Sequence, residues 1–291
     1  MKSLPLAIVF AAILIAASIF FSGSKNEGGE ATLVKNVEQE KALEEQVFPK
    51  EGITLPIQWG DIGKKLVEKG AIDKEQFEAI YETRGGLAPQ EQSMLSEEYK
   101  GKIVMNSENA NVLLNIFWAL GLANKNTILE KGPMTDPKYG GAGNFASTGG
   151  WTIAKGDAMD HYSAYELIKL SEEEQAKVER VSQGIYRPCC GNSTYFPDCN
   201  HGMAMLGLLE LMAANGVSEK DMYKVALQVN SYWFPETYLT IAAYKKTQGV
   251  PWDKVDAKEV LGPDYSSASG YQNIKTKTEP QTIQGGGGCG V

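Results

Sequence analysis

The chain is poor in the residues on which most site chemistry draws, with two histidines and four cysteines among 291 residues. It also lacks a basic excess: the net charge is −8, the pI is near 5.0, and no run of Lys or Arg exceeds two. Binding nucleic acid requires a basic face that neutralises phosphate, so that class is excluded. No Gly-x-Gly-x-x-Gly or Gly-Lys-Ser/Thr loop occurs, and Gly140-Gly141-Ala142-Gly143 follows no strand signal, so no nucleotide is expected. Hydrolase motifs and internal repeats are missing, and strand signals are few. A hydrophobic content of 43% nonetheless suffices for a real core.

Residues 1–22 hold the longest apolar run, Leu4 to Phe21, behind a single cation, Lys2. This reads as a signal anchor, or as a signal peptide if cleaved; its length, beyond a usual secretory h-region, favours the anchor. Either way the body is expected outside the cytoplasm, tethered to the cytoplasmic membrane or secreted. Residues 23–52 are a charged spacer. Residues 53–262 carry the punctuation of helices and are expected to form an all-α (mainly α) domain. Asp73-x-x-Gln76, Ser171-x-x-Glu174 and Ser218-x-x-Asp221 resemble capping boxes. Further helices are expected at Asp61–Lys69, stopped by Gly70, and at Pro89–Tyr99. The stretch Ser107–Ala123 is apolar on nearly every face, interrupted by Asn109, Asn111 and Asn115, and reads as a buried core helix. Residues 132–156 form a long loop, and residues 263–291 a flexible tail ending in four glycines and Cys289.

Chemistry concentrates in thirteen residues, Cys189-Cys190-Gly-Asn-Ser-Thr-Tyr-Phe-Pro-Asp-Cys199-Asn-His201. Pro197-Asp198-Cys199 reads as the entry to a helix ending near Asn215, with Gly216 at the exit and Asp198 or Cys199 at the cap. A thiol at a helix N-terminus gains thiolate character, which suits a nucleophile or a metal ligand. Three readings follow. Cys199 can pair with Cys189 or Cys190 in a disulfide; the vicinal pair is poorly placed to bridge itself. Alternatively, Cys189, Cys190, Cys199 and His201 form a soft-metal site for copper or zinc, completed by His161, Met203, Met205 or Cys289, although the usual Cys-x2–4-Cys spacing is missing. The third is thiol chemistry, with Cys199 and Cys289 as catalytic thiols and His201 or His161 as base.

The C-terminal sequence Thr282-Ile-Gln-Gly-Gly-Gly-Gly-Cys289-Gly-Val291 resembles the glycine-flanked cysteine arm of the SoxY sulfur carrier proteins. That resemblance implies a covalent sulfur-carrying role for Cys289 and a sulfur-transfer or redox protein partner. It covers about ten residues, departs at Val291, and does not extend to the family's β-sandwich body. As a random coil, the 27 residues from Pro263 to Cys289 reach on the order of 30 Å, enough to return to the cluster.

Other candidates have blander uses. Met203, Met205 and Met212 read as core filler, Glu210 as a solvent-facing line or a buried carboxylate, and His161 as a capped or surface histidine. Asn192-Ser193-Thr194 is a formal glycosylation sequon hindered by the cysteines around it. The leading expectation is a membrane-tethered extracytoplasmic Cys/His protein that binds a soft metal for trafficking or electron transfer. A thiol or sulfur carrier comes second and a disulfide-stapled interaction domain third. All three describe a binding or carrier protein rather than a stand-alone enzyme.

Overall fold

The computed structural model describes residues 38–281. The anchor at 1–22, half of the spacer (23–37), and Cys289 with its glycine arm lie outside the described residues. The chain divides into two units at residues 42 and 43. Of the first, only 38–42 are described, and these are helical.

The second unit is mainly helical, as expected. Its elements are β1 (Ile53–Thr54), α1 (Ile62–Glu68), α2 (Lys74–Glu82), α3 (Pro89–Ser96), β2 (Val104–Met105), α4 (Ala110–Ala123), α5 (Thr127–Lys131), α6 (Glu172–Gln183), α7 (Asn200–Ala214), α8 (Glu219–Trp233), α9 (Pro235–Thr247), α10 (Ala257–Val260), α11 (Pro263–Ser266) and α12 (Ala268–Lys275). The two short strands pair antiparallel, with Ile53 opposite Met105. Among the described residues, no helix is long and apolar enough to cross a membrane.

Capping chemistry sets the helix starts where the sequence signals them. Asp73 accepts from Glu75 N and Gln76 N at the head of α2. At α6 the full reciprocal box forms: Ser171 Oγ accepts from Glu174 N, and the Glu174 carboxylate accepts from Ser171 N at 2.7 Å. Ser218 caps α8 through Asp221 N. Each cap satisfies first-turn donors that have no partner within the helix.

The centre of the fold is α4 against α7. Leu113, Ile116, Phe117 and Leu120 of α4 are fully buried, as are Met203, Leu206 and Leu208 of α7. Glycines make the crossing close: a Cβ on Gly121 would stand 2.0 Å from Met203 O, and one on Gly207 2.6 Å from Phe117 O. α6 packs along α7, and α8 turns into α9 at Phe234-Pro235. The aromatic run at that turn packs helices together: Trp233 Nε1 donates to Ala110 O at 3.1 Å.

Two boundaries differ from expectation. The spacer ends earlier, because Val47 is buried and the Tyr232 hydroxyl donates to Pro49 O at 2.7 Å. The tail starts later, since Pro263–Ser266 and Ala268–Lys275 are helical, as α11 and α12. Ser267 caps α12 through Gly270 N, Ile274 is buried, and Gly270 lets α12 approach α11, where a Cβ would lie 2.1 Å from Pro263 O. One buried isoleucine in eight residues leaves no apolar periodicity to read, which is why the segment resembles a tail.

The long loop from Gly132 to Gly156 is a series of short 3-10 turns pinned by tryptophans. Trp118 Nε1 donates to Ser147 O at 2.7 Å, and Trp151 Nε1 to Ala71 O at 2.8 Å. The loop then touches the cysteine segment, where Ser147 N donates to Asp198 O at 3.2 Å.

Candidate metal centre

Cys199 is the N-cap of α7, with extended backbone (φ −125°, ψ 165°), and its carbonyl accepts from Met203 N at 3.0 Å. The sequence therefore placed this thiol correctly at a helix N-terminus. The segment from Arg187 to Asp198 loops back so that Cys189, Cys190 and Cys199 present ligand atoms all within 4.8 Å of one another. Cys189 Sγ and Cys199 Sγ are 3.5 Å apart, and no disulfide joins these three cysteines. Cys189 is exposed, the other two half-buried.

The residue that gathers this loop is Arg187, whose role the sequence reading missed. Its side chain is 2% exposed and paired with the Asp198 carboxylate. Its Nε donates to Cys199 Sγ at 3.0 Å, Nη1 to Asn192 O at 3.0 Å and Nη2 to Phe196 O at 3.0 Å. One guanidinium thus ties four points of the loop, which its planar fork of donors allows and a lysine would not. Gly202 on α7 makes the room: a Cβ there would sit 2.6 Å from Arg187 Cζ. The available signal was the Arg-Pro immediately before the cysteine pair, with a glycine in the first turn of the helix opposite.

Further contacts complete the cradle. Asn192 Nδ2 donates to Asp198 Oδ2 at 2.7 Å, so the sequon asparagine is engaged inside the loop. Cys190 lies with Sγ 3.9 Å from Asn192 O and 3.8 Å from Asp198 Oδ1. Its carbonyl accepts from Ala268 N at 2.9 Å, so the start of α12 buttresses the site.

The electrostatics single out one sulfur. Hydrogen bonds from Cys189 and Cys190 hold the Cys199 thiol well below the usual thiol range against the opposing effect of burial, with His201 and Arg187 adding to the lowering. Cys189 is pushed up, because it donates to its neighbours' sulfurs and is desolvated. Cys190 rises to about 11: its bond to Cys189 lowers it, but its bond to Cys199 and burial outweigh that. Burial works against the Arg187 cation, yet the charges on Cys199 and Cys190 raise its pKa. The arrangement favours ionisation at Cys199 over its two neighbours, with a buried cation beside it.

His201 hydrogen-bonds Cys199 through its side chain. It does not join the mutually close group, which comprises the three cysteines. Its Nδ1 lies 2.9 Å from Asn200 Oδ1, and its ring packs at 4.3 Å on Phe234. His161 is elsewhere and buried, with Nε2 2.9 Å from Lys155 O and Nδ1 2.8 Å from the Tyr165 hydroxyl. A carbonyl only accepts, so Nε2 donates to Lys155 O, and with Nδ1 engaged by Tyr165 both ring nitrogens are taken up, which makes His161 a structural link. Met203, Met205 and Met212 are buried among the α7 core side chains. Glu210 is not on a solvent line: it is fully buried, and its oxygens accept from Asn124 Nδ2 at 3.1 Å and Asn126 Nδ2 at 2.5 Å. Burial lifts it to about 8 against those two bonds.

Fold and site together define a mainly helical protein with a three-cysteine cluster able to hold a metal ion. Compared with protein-family models, curated proteins and solved structures, the chain matches none.

Proposed function

We propose that this protein binds one soft metal ion, Cu(I) or Zn(II), through the thiolates of Cys189, Cys190 and Cys199, with His201 beside Cys199 as the imidazole of the site. The observation that carries this reading is the mutual approach of the three sulfurs to within 4.8 Å, with Cys189 and Cys199 at 3.5 Å. A tetrahedral ion about 2.3 Å from each sulfur sets them about 3.8 Å apart, so side-chain rotations of about 1 Å or less complete the site. Thiolates select soft ions over hard ones, and Arg187 offsets part of the negative charge that three thiolates bring. Cys199 gives up its proton most readily of the three, and each sulfur that binds the metal must release its proton as the ion arrives.

In this reading the protein works outside the cytoplasm, held to the membrane by its N-terminal apolar run, and carries the ion or its electron. Support comes from the unbroken apolar character of Leu4 to Phe21 apart from Pro5 and Ser18. Metal analysis of the full chain, purified reduced and without chelator, tests the reading. About one equivalent of copper or zinc is expected, abolished in Cys199→Ser and weakened roughly 10–100-fold in His201→Ala, as for a group supporting a ligand. A native reduced protein that takes up neither ion on reconstitution overturns it.

A further inference from the structure

Within the cluster the sulfurs are not equivalent. Cys189 Sγ lies 3.5 Å from Cys199 Sγ, ten residues along the chain. A disulfide needs about 2.05 Å, so the pair is roughly 1.5 Å from bonding distance, within the range of side-chain rotation. Cys190 is anchored differently: its carbonyl is tied to Ala268 N, and its sulfur rests against Asn192 O and Asp198 Oδ1. As the adjacent residue, it is also poorly placed to bridge Cys189. Access follows the same division, since Cys189 is the exposed member of the three.

We propose that the cluster carries a second activity, thiol–disulfide exchange, in which a low-molecular-weight disulfide oxidises Cys189 and Cys199 to one intramolecular disulfide and leaves Cys190 reduced. The exposed Cys189 thiol attacks one sulfur of the small disulfide R–S–S–R, the Cys189–S–S–R bond forms, and the leaving sulfur takes up the Cys189 proton and departs as RSH. The Cys199 sulfur, 3.5 Å away, then attacks the Cys189 sulfur, forming Cys189–Cys199 and expelling the second RS group, which leaves as RSH with the Cys199 proton. Two protein thiols are oxidised and the small disulfide is reduced to two thiols, so atoms, electrons and both protons balance. The exchange stands on sulfur geometry alone; its consequence for an ion rests on the metal-binding reading above. Oxidation removes two of the three sulfur ligands, so the same site alternates between an ion and a disulfide.

The test uses the reduced, metal-stripped full chain with glutathione disulfide, followed by alkylation and peptide mass mapping. The expected product is a Cys189–Cys199 bridge with Cys190 alkylated and about two glutathiones released per bridge, the stoichiometry of exchange. Cys190→Ser should form the same bridge, and Cys189→Ser should leave Cys199 unbridged. Zn(II) should slow bridging, and the bridged chain should bind Zn(II) on the order of 100-fold more weakly than the reduced chain. A bridge that maps to Cys190 or Cys289, or no bridge in a chain that circular dichroism shows folded and that binds Zn(II) when reduced, overturns the exchange alone. A Cys189–Cys199 bridge in a chain that neither binds Zn(II) nor is protected by it overturns the metal reading and leaves the exchange standing.

Discussion

Helix α7 carries an ionisable group near each end, half-buried at its start and fully buried toward its end, and the two are treated in opposite ways. At its start, Cys199 meets the Arg187 guanidinium at 3.0 Å, and its thiol is held well below the usual range. Near its end, Glu210 meets only the neutral amides of Asn124 and Asn126, and burial lifts it to about 8. Desolvation opposes charge at both places. Where other sulfurs donate protons and a cation stands by, charge survives burial; where only dipoles answer it, the proton is retained until mildly alkaline pH. Burial alone therefore does not mark a working site on this helix, and the partners decide.

The largest effect expected from this contrast is pH dependence from Glu210. Its folded pKa of about 8 lies above the ordinary 4.5. The folded state thus holds a proton that the unfolded state has lost across that window. The stabilisation is present in full below pH 4.5 and is lost by about pH 8, a total on the order of 5 kcal/mol. Urea denaturation at a series of pH values should show this fall, and Glu210→Gln should flatten it. A wild-type profile already flat from pH 5 to 8 would remove the contrast.

Taking the cation from the other end should be nearly as costly. Arg187→Met leaves the Asp198 carboxylate and the Cys199 thiolate without their partner, at a cost of about 3–5 kcal/mol in urea unfolding. Its mark is that the Glu210 pH slope persists while metal uptake is lost. Gly202→Ala asks how closely the guanidinium must be held: a methyl pressed on a pinned side chain should cost about 1–3 kcal/mol. Mapped thiol reactivity in that variant should show Cys199 less protected from alkylation. The smallest change is a control that removes no hydrogen bond to either group. Ser171→Ala removes the α6 cap for about 1 kcal/mol and should leave both the pH slope and metal uptake unchanged.

Much of the helical framework was legible because caps and apolar stripes are local. Asp73, Ser171 and Ser218 act through amides two or three residues away, so their pattern is visible in a short window. The apolar α4 announced its burial, and Cys199 its place at a helix N-terminus. The C-terminal boundary was not legible, because α12 is held by a glycine contact to α11 and one buried isoleucine rather than by a stripe. Arg187 was missed for a similar reason: its partners lie up to twelve residues away, in a loop without periodicity. Glu210 read equally well as surface or core, since only the asparagines 84 and 86 residues earlier show which it is.

The sequence by itself determined the density of soft ligands, the helical class of the body and the cap position of Cys199, because composition and short-range hydrogen bonding carry that information. Only the tertiary structure decided that three sulfurs converge, that Cys189 lies 3.5 Å from Cys199, and that a buried arginine supplies the counter-charge. Those facts depend on a twelve-residue loop folded around one guanidinium and propped by α12. Spacing along the chain does not encode distances across such a loop.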